Sequence, residues 1–202
     1  MKIRKSAPSA GDLAHGRQSE TALLIIDVIN SFEFETEGAL DRAWPIASPL
    51  RKLAQRARAE GVPVIYVNDN FGLWQSNLDQ VIRRCMKNGG RASRFVRKLL
   101  PEPDDYCVLK PKHSAFFQTP LDLLLKHLQT RRVVLTGLWT NNCVLFTAHD
   151  AYMRDFKLCI PRECVAAHTE ADHRYGLKQM ATVLKAQVSS SAEISLSGVY
   201  RF

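Results

Sequence analysis

Short apolar runs alternate along the chain with stretches whose apolar residues recur at helical spacing. Residues 22–26 are apolar throughout and end at Asp27, the pattern of a strand covered on both faces. Ile46, Leu50, Leu53, Ala54 and Ala57 then return every three or four positions and stop at Gly61, which predicts an amphipathic helix with a glycine terminus. Residues 62–67 predict a second strand, and residues 81–100 read as helix interrupted at Gly89-Gly90. Residues 106–109 predict a third strand, ending at Lys110. Thr119-Pro120 predicts a helix opening, N-cap and then Pro at the first helical position, with Leu121, Leu124, Leu125 and Leu128 as its stripe. Residues 132–136 form a fourth predicted strand closed by Gly137, and Val144, Thr147, Ala148 and Ala151 mark the next helix face. Residues 158–160 predict a fifth strand, Leu177, Met180, Ala181 and Leu184 a last helix, and residues 192–194 a sixth strand.

Apolar strands alternating with amphipathic helices specify an α/β fold: a three-layer α/β/α sandwich around a doubly wound, mostly parallel, six-stranded, Rossmann-like sheet. No repeat or linker divides the chain. Residues 1–20 read as a polar tail and residues 21–202 as one domain. In such sheets ligands bind beyond the carboxyl ends of the strands, which directs attention to Asp27, residues 68–70, Lys110 and residues 137–143.

With 202 residues, 46% hydrophobic and 24% charged, the chain can bury a full core without disulfides or structural metal. This composition excludes a disordered or fibrous chain. No apolar run nears the roughly 20 residues of a membrane span. Lys2, Arg4 and Lys5 precede no apolar stretch, so neither a secretory signal nor a membrane partner is expected, and the protein is expected in the cytoplasm. Between residues 81 and 100 lie Arg83, Arg84, Lys87, Arg91, Arg94, Arg97 and Lys98 without an acid, accounting for most of the net charge of +8. No nucleic-acid reader motif accompanies them. They read as solvated helix faces or a subunit contact, ahead of an anion site or nucleic-acid binding.

The five cysteines, Cys85, Cys107, Cys143, Cys159 and Cys164, show neither paired spacing nor a CxxC motif, which suits reduced thiols in a cytosolic protein. Cys107 and Cys159 fall in predicted strands and read as core. Cys143 falls in the first turn of the helix after strand four, where free N–H groups and the helix dipole favour a thiolate. Asp27 and Lys110, taken singly, read as a helix cap or bridge and a surface lysine. Acid, base and thiol at three strand ends of one sheet should instead converge on one pocket, which points to nucleophilic catalysis. No G-x-G-x-x-G or P-loop pattern supports a nucleotide cofactor.

The stretches Leu23-Leu24-Ile25-Ile26-Asp27, Lys110-Pro111-Lys112-His113-Ser114-Ala115-Phe116 and Gly137-Leu138-Trp139-Thr140-Asn141-Asn142-Cys143 resemble, in order and spacing, the isochorismatase-like cysteine hydrolases. These include nicotinamidases and N-carbamoylsarcosine amidase. The resemblance implies Asp27 as proton acceptor, Cys143 as nucleophile, and Lys110 between them holding the thiolate. It also implies an oxyanion hole from the Trp139 and Cys143 backbone N–H groups, a cis Leu138–Trp139 peptide, and a homodimer or larger assembly. Phe32, Trp74 and Phe116 are candidate walls of the substrate pocket. Many nicotinamidases bind a metal through an Asp and two His after the second strand. Here residues 68–74 hold Asp69 and no His, and Ile29 stands where nicotinamidases usually place Gln, so neither metal nor nicotinamide is expected. Asp69 reads as a loop carboxylate and the six histidines as surface or isolated polar groups. The implied activity is cofactor-free hydrolysis of a C–N bond in a small amide or ureido substrate. The alternatives are a vinyl-ether hydrolase, disfavoured by Cys143, and a catalytically retired binding protein.

Overall fold

The computed structural model describes residues 18–33 and 35–196; most of the 1–20 tail lies outside them. Among the described residues, β1 (Thr21–Ile26) leads to α1 (Ala39–Ala43), a 3-10 turn (Trp44–Ile46) and α2 (Ala47–Ala59). Then come β2 (Val64–Asp69), α3 (Leu78–Lys87), α4 (Gly90–Lys98), β3 (Tyr106–Lys110), α5 (Leu121–His127) and β4 (Arg132–Leu138). The chain continues through α6 (Cys143–Tyr152), β5 (Lys157–Pro161), β6 (Val165–Ala166), α7 (Glu170–Thr182) and β7 (Gln187–Ser189).

The sheet runs β3-β2-β1-β4-β5-β7, with β6 continuing along β4, and every pairing is parallel. The apolar runs of the central strands serve two cores. Leu23 and Ile25 of β1 pack with Leu50, Leu53, Ala57, Val81 and Phe95 on one face. Leu24 and Ile26 pack with Leu121, Leu125, Val144, Ala148 and Met180 on the other. Successive side chains of a strand point to opposite faces, so a strand between two helix layers must be apolar at every position.

The order of strands reverses between β1 and β4, the switch point where a crevice opens in such sheets. At this seam Gly137 has φ +104°, and a Cβ there would stand 2.0 Å from the Ile26 carbonyl oxygen. Only glycine permits so close an approach. The Leu138–Trp139 peptide that follows is cis.

Three expectations are corrected. Residues 192–194 form no strand; the sixth core strand position is taken by β7, whose residues are exposed or half-buried and so lack the apolar run that marks a covered strand. The sheet also holds the two-residue β6, too short for any periodic signal. Cys107 is exposed rather than core, because β3 is an edge strand with one open face. The helix at Thr119-Pro120 starts one residue later, at Leu121, whose N–H donates to Thr119 Oγ1.

Candidate active site

Each of the three chemistry-bearing residues sits at the carboxyl end of a strand or just beyond one. Asp27 follows β1 with φ 54°, a left-handed turn that aspartate tolerates better than most residues. Its N–H still donates to the Val67 carbonyl, so the ladder to β2 continues while the side chain turns inward. Lys110 closes β3 and is fully buried. Cys143 is the first residue of α6, reached from β4 through a tight turn in which the Trp139 carbonyl accepts from the Asn142 and Val144 N–H groups.

These residues meet. Lys110 Nζ lies 2.8 Å from Asp27 Oδ2 and 3.6 Å from Cys143 Sγ. The other carboxylate oxygen, Asp27 Oδ1, accepts the Asp69 N–H at 2.7 Å. Among the described residues, no hydrogen bond leaves the backbone N–H of Trp139 or Cys143 for another protein group.

Burial dominates the electrostatics. It raises the Asp27 carboxyl above its ordinary value, against the Lys110 ammonium beside it. For Lys110 burial works against the charge, but Asp27, Cys143 and Asp69 outweigh it and hold the ammonium protonated. Burial also pushes the Cys143 thiol well up, with Asp27 adding to the rise and Lys110 opposing it. The helix start alone favours a thiolate; in this site burial and the adjacent carboxylate override it. The site is therefore a carboxylate–ammonium pair beside a thiol that burial keeps protonated.

Three further groups surround the triad. Asp69 is not a loop carboxylate: it ends β2, and its Oδ2 lies 3.6 Å from Lys110 Nζ while Oδ1 accepts the Phe71 N–H. Asn68 bonds both the Ile29 N–H and the Ile29 carbonyl through its side chain, fixing the chain just beyond Asp27. His113 is not an isolated polar residue, since its Nδ1 lies 3.8 Å from Cys143 Sγ. Two other histidines also have partners: His168 stacks on Trp139 at 4.0 Å and pairs with Glu35, and His173 faces the Thr140 hydroxyl at 3.0 Å.

The expected pocket aromatics separate. Phe32 packs edge-on against Trp139, with ring centroids 6.4 Å apart. Trp74 stands on the surface, 79% exposed, because the turn after β2 carries it outward. Phe116 is buried in the second core beside Phe156, under the Arg154 guanidinium. Among the described residues no group of three or more His, Cys, Asp or Glu could hold a metal ion. Asp69, the sole acid in the stretch where nicotinamidases bind one, is committed to Lys110 and Phe71.

Residues 21–193 match the family model described as the isochorismatase domain. The chain belongs to the isochorismatase family of hydrolases. It is 39% identical over 178 residues to the uncharacterized isochorismatase family protein YaaI of Bacillus subtilis (strain 168), covering 88% of this chain and 97% of that one. It is 29% identical over 190 residues to the ureidoacrylate amidohydrolase RutB of Methylobacterium radiotolerans, covering 80% and 73%. The crystal structure of N-carbamoylsarcosine amidase from Thermoplasma acidophilum superposes with TM-score 0.68 at 29% identity, over 87% of this chain and 99% of that one.

Proposed function

We propose that the protein is a cysteine-dependent amidohydrolase that cleaves a C–N bond of a small amide or ureido compound through a thioester on Cys143. The observation that carries this reading is the buried Asp27–Lys110–Cys143 cluster, with Lys110 Nζ 2.8 Å from the carboxylate and 3.6 Å from the sulfur. Asp27 takes the Cys143 proton as sulfur attacks the carbonyl carbon. The Lys110 ammonium stabilises the thiolate, and the Trp139 and Cys143 N–H groups receive the developing oxyanion. The C–N bond then breaks, with Asp27 returning its proton to the leaving nitrogen. Water next gives a proton to Asp27 and adds to the thioester. The C–S bond breaks, and the sulfur recovers the proton from Asp27.

These steps use side chains and backbone alone. A vinyl-ether hydrolase would leave the thiol beside its base without a role. The same reading places the protein in the cytoplasm, in keeping with five free cysteines, and takes it to self-associate as a homodimer or larger assembly.

The test is rapid-quench intact-mass measurement with a panel of small primary amides and ureido acids, with ammonia release followed in parallel. The reading expects turnover of at least one compound, an acyl adduct mapping to Cys143, and loss of both in Cys143→Ala. Turnover that survives in that folded variant would overturn it.

A further inference from the structure

The Cys143 thiol has polar neighbours on two sides. Asp27 and Lys110 fill the buried side. On the other, His113 is exposed and presents Nδ1 to the sulfur at 3.8 Å, its ring lying over Phe146 of α6 with centroids 5.2 Å apart. The adjoining chain is pinned to the same helix: the Ser114 hydroxyl donates to Asp150, and the Ala115 N–H donates to Thr147 Oγ1. The imidazole is thus held over the nucleophile. Any molecule whose carbonyl carbon bonds to that sulfur comes within contact of it.

The charges around the thiol are unequally committed. Asp27 and Asp69 face Lys110. Glu35 accepts from Asn30 and Trp139 and pairs with His168. Asp150 is held by Ser114 and Arg154. Among the described residues, neither His113 nor its neighbour Lys112 has a carboxylate partner. The carboxylates are satisfied from within, and His113, on the exposed side of the thiol, has no anion of its own.

We propose that His113 is a specificity residue whose imidazole holds a carboxylate or similar anionic substituent of the substrate beside the Cys143 thiol. This rests on Cys143 being the nucleophile. Cys143 faces His113 across 3.8 Å, and Phe146 of α6 adds an apolar surface. The Lys110 charge is matched by Asp27.

Two alkylating reagents that differ in charge read this directly. Cys143 modification by iodoacetate and by iodoacetamide is followed by peptide mass mapping at one fixed pH in the unaltered protein, His113→Gln and His113→Lys. Both reagents attack the same thiolate, so their rate ratio cancels its population and reports the local field. The expected result is an iodoacetate preference about three- to tenfold higher in the unaltered protein than in His113→Gln, and kept in His113→Lys. An equal ratio in the unaltered protein and His113→Gln overturns the proposal and leaves the amidohydrolase reading standing. Failure of Cys143 to react with either reagent overturns both.

Discussion

Lys110 and Asp27 form an ion pair in the protein interior, with 2.8 Å between ammonium nitrogen and carboxylate oxygen and no solvent access to the lysine. Removing one partner of such a pair strands the other's charge, a cost of about 3–5 kcal/mol. Lys110→Met should therefore destabilise the fold by that amount at neutral pH in a denaturant titration. The stranded Asp27, already raised by burial, rises further without the ammonium. A carboxyl whose folded value exceeds its unfolded one favours the folded state at low pH, and that contribution is lost as pH rises through the window between the two. The deficit should thus be smaller at pH 5 than at pH 8. An equal deficit at both would show that Asp27 does not carry the charge.

Asp27 as base predicts the acid limb of activity. Its carboxyl must be ionised to take the thiol proton, and burial holds it above the ordinary carboxylate value of about 3.9. On any amide found to be turned over, kcat/KM should fall with decreasing pH through a midpoint clearly above that value. Asp27→Asn should lower it by about 10⁴-fold or more, as for members of a catalytic unit. A limb at or below pH 4 would reassign the base.

The two glycines Gly137 and Gly61 both have positive φ, but only Gly137 meets a neighbour: its added Cβ falls 2.0 Å from Ile26 oxygen, whereas nothing lies within 4 Å at Gly61. Gly61→Ala should cost only the left-handed backbone penalty, about 1–2 kcal/mol. Gly137→Ala must also part β1 from β4 and should cost more than about 4 kcal/mol, or prevent folding. Urea titrations of the pair would separate strain from clash.

Thiol labelling has an internal standard. Cys107 is exposed, while Cys85, Cys143, Cys159 and Cys164 are buried; Cys143 differs in having the Lys110 ammonium 3.6 Å from its sulfur and the exposed His113 beside it. Native protein treated with iodoacetamide should label at Cys107 and Cys143, and at the other three only after unfolding. In Asp27→Asn, which removes the carboxylate that helps push the Cys143 thiol up, the Cys143 rate should rise while the Cys107 rate holds. A parallel change at both would point to a general loosening instead.

Activity should survive exhaustive chelation with EDTA or dipicolinate. The motivation is the donor set after β2, where Asp69 is held by Lys110 and the Phe71 N–H and no histidine stands near it in sequence. Loss of turnover on chelation, restored by a divalent ion, would reverse this.

Much of the fold was readable because five strands are covered on one or both faces and the helices pack through regular apolar stripes. Residues at strand ends were readable for the same reason: Asp27 and Lys110 interrupt apolar runs, and Cys143 opens a helix. What escaped depends on contacts across the chain. Asp69, His113 and Asn68 gain their roles from partners 41, 30 and 39 residues away, and no local pattern encodes that. Trp74 and Phe116 show the converse: an aromatic near the right motif says nothing of which way it faces. The strand β7 was missed because its half-open positions carry no hydrophobic run.

Asp27 and Lys110 stand at the ends of strands that are not neighbours. With β2 lying between β1 and β3, their backbones stand about 9–10 Å apart, two hydrogen-bonded strand spacings. The long lysine stem crosses that gap, while the end of β2 lends the Asp69 N–H to the carboxylate. The spacing of carboxylate and ammonium is thus metered by the sheet itself, as by a ruler.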